Sequence, residues 1–245
     1  MIIVVLPAYN EVEALPILLG RLNAVSVGHF NSNISVIVVD DGSTDGTAER
    51  VRISKIPNVQ LILHEKNMGL NEAVRTGLLA ATQSAMDDND VIVTMDADNT
   101  HVPALISRMV MLIEEGNEVV IASRYVPGAR VVGLAWHRRL LSLLASVLFR
   151  YTFPMTGVKD YTCGFRAYRA GLLKEAFERW GNEFISEPGF SCMVDILLKC
   201  RRLDAIANEV PLILRYDFKP SESKMKVFKT IKQTLSLLVR RRFKG

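Results

Sequence analysis

The stretch that decides the fold is VIVTMDADNTHVP, from Val91 to Pro103. Residues typical of a buried strand run into two aspartates one position apart, and a proline that favours a helix start follows. Side chains alternate along an extended segment, so Asp96 and Asp98 point to the same side while Ala97 points away. Two aligned carboxylates repel each other unless a positive group lies between them. The stretch therefore predicts either a cation site or a solvated strand-to-helix turn.

The cation interpretation depends on the type of ligand atom. Oxygen ligands suit Mg²⁺ and Mn²⁺, so Asp96, Asp98 and the Thr100 hydroxyl form the predicted metal ligands. Such ions keep coordination positions open for a substrate diphosphate. The alternative is a turn in which Asp98, Asn99 or Thr100 caps the helix that begins near Pro103. A D-x-D match alone does not decide between the two.

Short apolar segments alternate with longer amphipathic ones along the chain. Strands are predicted at Ile2–Leu6, Ser35–Val39, Val59–Leu63, Val91–Met95 and Val119–Ala122. Helices are predicted at about Val12–Ala24, Thr44–Ser54, Leu70–Ala85, Val102–Glu115, Arg138–Phe149, Leu172–Trp180 and Phe190–Cys200. This order predicts an α/β fold with a mostly parallel central sheet flanked by helices, and ligands bind beyond the carboxyl ends of such strands. We expect one domain over residues 1–218 and a loop and helix over residues 219–245.

The charge of the chain is concentrated at its C-terminal end. The 245 residues carry a net charge of +4, and 49% of them are hydrophobic, which is enough for one large core. From Lys219 to Gly245 there are nine Lys/Arg and one Glu, a local balance of +8, so the rest of the +4 chain carries −4. An acidic body argues against nucleic-acid binding. The tail predicts a basic amphipathic helix, with Phe228, Ile231, Leu235 and Leu238 on one stripe, that either docks on an anionic membrane surface or packs against the catalytic domain or a partner.

The sequence predicts no membrane span and a reducing environment. The apolar N-terminal stretch lacks basic residues and stops at Pro7, so it is typical of a first strand and not of a signal peptide. No run of about 18 apolar residues occurs. The three cysteines form no C-x-x-C pair, which favours reduced thiols in the cytoplasm, and we expect Cys163 to be inert. The segment from Arg138 to Arg150 is too short to span, and it predicts either a core helix or an interfacial one.

A second group of polar residues follows the second strand, in VVDDGSTDGTAE. Asp40 and Asp41 are expected at the mouth of the crevice, where a carboxylate accepts hydrogen bonds from a base or a ribose; local Asx-turn chemistry is the alternative. An EF-hand is excluded because its twelfth position would be Arg52, where a glutamate is required. The chain has neither a G-x-G-x-x-G nor a G-x-x-x-x-G-K-[ST] motif, which removes the main support for dinucleotide and P-loop sites.

In order, PAYNE, VVDDGSTDGT, NMGLNEAVRTG, MDADNTH, SRY and DYTCGFRAY resemble the family 2 glycosyltransferases of the GT-A fold. They look most like the branch of dolichyl-phosphate and polyprenyl-phosphate mannosyltransferases. The likeness covers residues 2 to about 225. It implies a nucleotide-sugar donor across the strand ends, with its diphosphate on a divalent metal, Mg²⁺ or Mn²⁺, held by the D-x-D segment.

The resemblance also implies roles for individual residues. The nucleotide-sugar site would be lined by Pro7, Tyr9, Glu11, Asp41, Asp96, Ala97 and Asp98. The acceptor phosphate would be held by Arg124, Arg138, Ser142, Lys219, Ser223 and Lys224. Thr100 stands where many members have a glutamine as a further metal ligand. Asp98, Arg124 and Arg138 are the expected catalytic residues.

The implied reaction is an inverting, metal-dependent transfer of a hexose, mannose from GDP-mannose, to a polyprenyl or dolichyl phosphate. The first alternative is a UDP-sugar donor with a polyprenyl-phosphate or hydroxyl acceptor. A hydroxyl would need a general base, for which Asp160 and Glu187 are candidates. The second alternative is a non-catalytic nucleotide-sugar-binding protein, which would have no need for the Asp96/Asp98 pair. We expect a peripheral protein on the cytoplasmic face of a membrane, bound directly or through a membrane-protein partner.

Overall fold

The computed structural model describes residues 1–30, 33–54, 56–134 and 136–218, without the side chains of residues 136–139 and 141. The strands are β1 (Ile2–Ala8), β2 (Ile34–Asp40), β3 (Val59–Leu63), β4 (Val91–Thr94), β5 (Val119–Ser123), β6 (Arg130–Val132), β7 (Arg166–Arg169), β8 (Ala207–Pro211) and β9 (Ile213–Arg215). The α-helices are α1 (Ala14–Phe30), α2 (Thr47–Ile53), α3 (Leu70–Ser84), α4 (Leu105–Glu114), α5 (Trp136–Thr152), α6 (Ala170–Trp180) and α7 (Ser191–Arg201). Short 3₁₀ turns lie at Gly181–Ile185 and Tyr216–Phe218.

A seven-stranded sheet in the order β3-β2-β1-β4-β7-β5-β8 forms the centre of the molecule. β1 pairs in parallel with β2 and β4, and β2 pairs in parallel with β3. β7 is antiparallel to both β4 and β5, so β5 runs in the same direction as β4. The predicted α/β fold with a mostly parallel sheet is confirmed, and the carboxyl ends of β1, β2, β4 and β5 meet at one edge.

The central strands are buried because helices cover the sheet. Ile3, Val4, Val5 and Leu6 of β1 have no exposed surface, as expected for a parallel strand covered on both faces. α3 packs against β1 and β2, and α4 packs against β5 and β7. Continuous apolar runs in β1, β2 and β4 are therefore the sequence signature of this core.

β7 is the strand of the sheet interior that the sequence did not predict. Two of its four residues, RAYR, are arginines, which are rare in buried strands, yet Arg166 has no exposed surface. Its guanidinium donates hydrogen bonds to the carbonyl oxygens of Met193 at 2.6 Å and Tyr161 at 2.8 Å. Because these carbonyls come from other segments, no local pattern indicates that this arginine can be buried.

The C-terminal segment predicted as a basic amphipathic helix, residues 219–245, lies outside the described residues. Lys219, Ser223 and Lys224 belong to it, so their predicted roles and the domain division stay predictions. In the ranges that the structure describes, no helix has the length and apolar content needed to cross a membrane.

α3 lies unusually close to the sheet at Gly77. A Cβ atom at this position would lie 2.3 Å from Val5 Cγ1 and 3.1 Å from Val39 Cγ2. The missing side chain therefore lets the helix lie directly on β1 and β2. By contrast, a Cβ at Gly20 of α1 would meet nothing within 4 Å.

We expect Gly77→Ala to lower the free energy of unfolding. Helix propensity favours alanine by about 1 kcal/mol, but overpacking at a close contact costs about 1–3 kcal/mol. The matched control, Gly20→Ala, should raise the free energy of unfolding by about 0.5–1 kcal/mol, since it gains propensity without a clash. Chemical denaturation of both variants checks this, and an equal stabilisation by both would contradict the close packing of α3.

Candidate active site

Four loops that follow parallel strands meet at one edge of the sheet. They begin after β1 with the PAYNE segment, after β2 with Asp41, after β4 with Asp96, and after β5 with Arg124. The antiparallel β7 begins at this same edge, so the segment that precedes it, residues 160–165, also lies there. The convergence of charged residues expected from the strand order is therefore present.

The first two loops are held together by hydrogen bonds. The amides of one loop donate to side chains of the other: Asn10 to Ser43 Oγ at 2.8 Å, Glu11 to Thr47 Oγ1 at 2.9 Å and Val12 to Asp45 Oδ2 at 3.1 Å. Asp45 also accepts the Thr47 amide at 3.0 Å. Burial would raise the pKa of Asp45, but these hydrogen bonds outweigh it and lower that pKa. Asx-turn chemistry, the alternative given for Asp40 and Asp41, is present at Asp40, whose Oδ1 accepts the Ser43 amide at 2.8 Å, and also at Asp45.

Asp41 holds the turn that precedes α3. Its Oδ1 accepts the Met68 amide at 2.8 Å and lies 2.7 Å from His64 Nδ1, while its Oδ2 accepts the Gly69 amide at 2.8 Å. The other ring nitrogen of His64 lies 3.1 Å from Thr76 Oγ1. Since a carboxylate oxygen accepts about two hydrogen bonds, Oδ2 is the atom with capacity for a ligand donor. Asp41 is itself buried (3% exposed), so the structure shows its role in this turn, and its nucleoside role stays a prediction.

The D-x-D segment is not extended: β4 ends at Thr94, and Ala97 and Asp98 lie in a turn, so the predicted strand-like alternation of Asp96 and Asp98 is not what the backbone adopts. Asp96 and Asp98 are half-buried, and Ala97 between them is buried. A Cβ at Gly164 would lie 3.3 Å from Asp96 Oδ1, so this glycine leaves room for the carboxylate. The Thr100 amide and hydroxyl both donate to Asp98 Oδ1, at 3.1 and 2.7 Å. Thr100 therefore orients the Asp98 carboxylate, as the turn interpretation of the segment expects, and the cation role of Asp96 and Asp98 stays a prediction.

The turn after Asp98 is fixed from two directions. Asn99 is buried in the left-handed region, with a φ of 64°, which asparagine tolerates better than most residues. Its Oδ1 accepts a hydrogen bond from Arg21 Nη1 of α1 at 2.8 Å. The Thr100 carbonyl accepts the Arg215 amide of β9 at 2.9 Å. Sequence reasoning missed Arg21, because only the tertiary fold brings it to this turn.

The residues at this edge fit a divalent cation that is completed by a substrate. Within the ranges that the structure covers, no cluster of three or more His, Cys, Asp or Glu side chains could hold a metal ion alone. Asp96 and Asp98 supply two carboxylates, the ligand type that Mg²⁺ and Mn²⁺ prefer. A site with two protein carboxylates is typical of ions that also bind substrate phosphates.

Arg124 is locked onto a buried carboxylate. Its amide, Nε and Nη2 donate to Asp160 at 3.1, 2.7 and 2.7 Å, and Nη2 also contacts Thr162 Oγ1 at 2.6 Å. Burial would raise the pKa of Asp160, but the Arg124 guanidinium outweighs it and holds that pKa below its usual value. Asp160 is thus a poor proton acceptor and does not fit the role of a general base.

Ser142 lies beside the Arg124 loop. Its Oγ is 2.7 Å from the hydroxyl of Tyr125, the residue after Arg124. Burial raises the pKa of Tyr125, which keeps this hydroxyl protonated. Arg138 precedes Ser142 by four positions on α5, so both residues lie on one side of that helix. Ser142 therefore lies near the Arg124 loop, and the roles of Arg124, Arg138 and Ser142 in binding the acceptor phosphate stay predictions.

The remaining candidates differ in their surroundings. Glu187, the other base candidate, is buried and follows a 3₁₀ turn that Lys199 holds through the Phe184 carbonyl at 3.0 Å. Lys199 is itself paired with Asp195 Oδ2 at 2.8 Å. Burial raises the pKa of Cys163 to about 12, which agrees with its expected inertness. Tyr9 is the exposed aromatic of the PAYNE loop.

The α/β fold, with a mostly parallel central sheet flanked by helices, matches the GT-A fold. The chain belongs to glycosyltransferase family 2, since the family model described as "Glycosyl transferase family 2" matches residues 3–177. The chain is therefore a glycosyltransferase, and both the predicted family and the predicted enzyme class are confirmed.

Curated relatives and solved structures agree with this assignment. The chain is 31% identical to polyprenol monophosphomannose synthase of Mycolicibacterium smegmatis, over 86% of this chain and 76% of that protein. It is 32% identical to undecaprenyl-phosphate mannosyltransferase of Micrococcus luteus, over 91% and 87%. The structure of glucosyl-3-phosphoglycerate synthase from Mycobacterium tuberculosis, a complex with Mn²⁺ and UDP, superposes with a TM-score of 0.67 at 22% identity. It covers 99% of this chain and 79% of that one, and it shows the shared fold.

We expect Asp160→Asn to destabilise the protein by about 3–5 kcal/mol at neutral pH, because it leaves the Arg124 charge without its partner. The folded-state pKa of Asp160 lies below its usual value of 3.8, so its stabilising contribution is present above about that pH. The contribution is lost as the pH falls through the folded-state pKa. The difference between wild type and variant should therefore narrow in acid.

Chemical denaturation at neutral and acidic pH measures this difference. The control is Glu175→Gln, an exposed carboxylate of α6, which should change stability by less than about 0.5 kcal/mol. A loss for Asp160→Asn no larger than that of the control would contradict the Arg124–Asp160 assignment.

Proposed function

We propose that this enzyme transfers mannose from GDP-mannose to the phosphate of a polyprenyl or dolichyl phosphate, with inversion and with Mg²⁺ or Mn²⁺. Relatives at 31% and 32% identity that carry polyprenol-phosphate and undecaprenyl-phosphate names support the choice of acceptor and sugar. The observation that carries the proposal is the contact between Tyr125 and Ser142, which places Ser142 beside Arg124.

The bond changes follow from the charge of the acceptor. One oxygen of the acceptor phosphate attacks the anomeric carbon, and the bond from that carbon to the donor diphosphate breaks. The bonding electron pair leaves with GDP, so in-line attack inverts the anomeric centre. The phosphate oxygen is already ionised near neutral pH, so no strong base is required. This agrees with the ion pair between Asp160 and Arg124, which makes Asp160 unsuited to act as a base.

Two negative groups must approach each other in this reaction. Arg124 is suited to hold the acceptor phosphate because three hydrogen bonds to Asp160 fix its orientation before substrate binds. Asp96 and Asp98 would hold the divalent cation, which supplies charge neutralisation for the departing diphosphate. Thr100 keeps the Asp98 carboxylate oriented for this role. Positioning and charge control therefore account for the catalysis that we propose.

The donor is tested by thermal unfolding with Mn²⁺ and a nucleotide panel. GDP and GDP-mannose should raise the melting temperature, because a ligand at about 100 times its dissociation constant stabilises by roughly 2.7 kcal/mol. UDP and UDP-glucose should have little effect, and Asp98→Asn should abolish the metal-dependent part of the shift. A shift with the uracil nucleotides alone would overturn GDP-mannose as donor, and an unchanged shift in Asp98→Asn would overturn the metal assignment.

α5 presents an apolar surface beside the proposed acceptor site. Its exposed large apolar residues follow helical spacing: Leu140, Leu143, Leu144, Val147, Leu148 and Tyr151. Leu144 is 56% and Val147 52% exposed, so the core-helix interpretation of this segment is wrong for these positions. Because Ser142 lies on the same helix, this apolar face suits the surface of an anionic membrane that carries the lipid acceptor. We therefore propose that α5 docks the enzyme peripherally on the cytoplasmic face.

Leu144→Glu should weaken binding to vesicles that contain anionic lipid and polyprenyl phosphate. The expected loss is about ten-fold, because partial burial of a leucine side chain contributes on the order of 1.4 kcal/mol. The matched control is Met111→Glu, since Met111 of α4 is an apolar residue of similar exposure (59%) away from α5. Vesicle co-sedimentation measures both variants. An equal loss in both would overturn α5 as the docking element.

A further inference from the structure

Glu209 is an acidic residue on β8, the edge strand next to β5. Its Oε1 accepts two consecutive amides, those of Lys159 at 2.7 Å and Asp160 at 2.6 Å. In the register of the sheet Glu209 lies opposite Ile121 of β5, two residues before Ser123 at the carboxyl end of that strand. One side chain of the edge strand therefore fixes the backbone of the segment that leads to Asp160.

The contacts of Glu209 form a closed ring with those of Arg124. Glu209 binds the Asp160 amide, and the Asp160 carboxylate binds the Arg124 amide and guanidinium. Arg124 directly follows β5, which pairs with β8, and β8 carries Glu209. The Asp160 carboxylate sets the direction of the Arg124 guanidinium. A displacement of the Asp160 backbone would therefore move this carboxylate and turn the guanidinium with it.

The segment before Asp160 reaches β8 through a glycine. Gly157 has a φ of 82°, and a Cβ there would lie 2.2 Å from the Ala207 carbonyl oxygen. This close packing brings the segment onto the edge strand at one point. Glu209 then fixes the next two amides, so the geometry at Asp160 depends on this carboxylate and not on the glycine contact alone.

The burial of Glu209 is itself costly. Its Oε2, near the Ser123 hydroxyl, is buried without a hydrogen bond of normal geometry to any described residue. Burial raises the pKa of Glu209, and the amides of Asp160 and Lys159 oppose that rise. Glu209 is half-buried as a residue, and shielding its Oε2 from water without a well-aligned partner is unfavourable for stability alone. Its position therefore points to a task at the neighbouring site.

We infer that Glu209 is a positioning residue for the acceptor phosphate. It holds the Asp160 amide so that the Asp160 carboxylate directs the Arg124 guanidinium toward the phosphate of the lipid acceptor. The inference deepens the proposed function and rests on the acceptor-phosphate role of Arg124. It assigns Glu209 no contact with either substrate.

Glu209→Ala should leave a folded protein. The side chain borders an open groove of about 820 Å³ between α5, residues 154–159 and β8, from which water can reach the freed amides. We expect the KM for a detergent-dispersed polyprenyl phosphate to rise about ten-fold. Loss of a residue that supports a metal ligand typically costs about 10–100-fold, and the lower end of that range applies to this indirect contact. The KM for the nucleotide sugar should stay unchanged. Glu209→Gln retains the Oε1 acceptor and should restore most of the acceptor affinity.

Two controls separate positioning from a general loss of structure. Asn208→Ala alters the exposed neighbour of Glu209, whose Oδ1 accepts the Glu209 amide at 2.8 Å, and should leave both KM values unchanged. Adding Glu209→Ala to Arg124→Ala should cause no further rise in the acceptor KM, because Glu209 is proposed to affect the acceptor only through Arg124. Thermal unfolding of each variant checks the fold.

Each other outcome has a distinct meaning. Equal increases in donor and acceptor KM, an additive effect in the double variant, or a Glu209→Gln variant as impaired as Glu209→Ala would overturn the inference. If Arg124→Ala itself leaves the acceptor KM unchanged, the proposed role of Arg124 in acceptor binding fails instead. The two failures are therefore distinguishable in one set of measurements.

Discussion

The direction of the strands is the constraint on which the rest of this structure depends. β1, β2, β4 and β5 run the same way, and their residues are almost entirely buried. A charged side chain within such strands would lose its hydration, so charged groups collect where the strands end. Because all four ends lie at one edge, the carboxylates after β2 and β4 and the arginine after β5 share one crevice. The active site is thus a consequence of the topology.

Local periodicity predicted most of the fold because most of its elements are locally encoded. β3 occupies the predicted residues Val59–Leu63, whereas β4 ends at Thr94, one residue before its predicted end, and the D-x-D residues beyond it form a turn. β7 could not be predicted in this way, since Arg166 is buried against carbonyls of other segments. The exposed face of α5 was ambiguous for a related reason: leucines at helical spacing are the same whether a core or a membrane covers them.

The candidate site shows the same division between local and distant contacts. The hydrogen bonds from Thr100 to Asp98 span two residues and follow from a turn motif. Arg21 reaches Asn99 across 78 residues, and Asp160 reaches Glu209 across 49. No spacing rule in one sequence reports such pairs. Sequence reasoning therefore located the polar groups at each strand end, while the structure identified the residues that hold them in place.

The carboxylates of the site differ in a way that bears on the choice of acceptor. Asp96 and Asp98 are half-buried and stand one position apart in the sequence, and carboxylates are the ligand type suited to a cation that binds a diphosphate. Asp160 is instead paired with Arg124, which holds the pKa of Asp160 below its usual value, so this carboxylate is not suited to accept a proton. A hydroxyl acceptor needs a base, whereas a phosphate needs an oriented cation. Arg124, which Asp160 orients, meets the requirement for an oriented cation. This favours an acceptor that is already ionised.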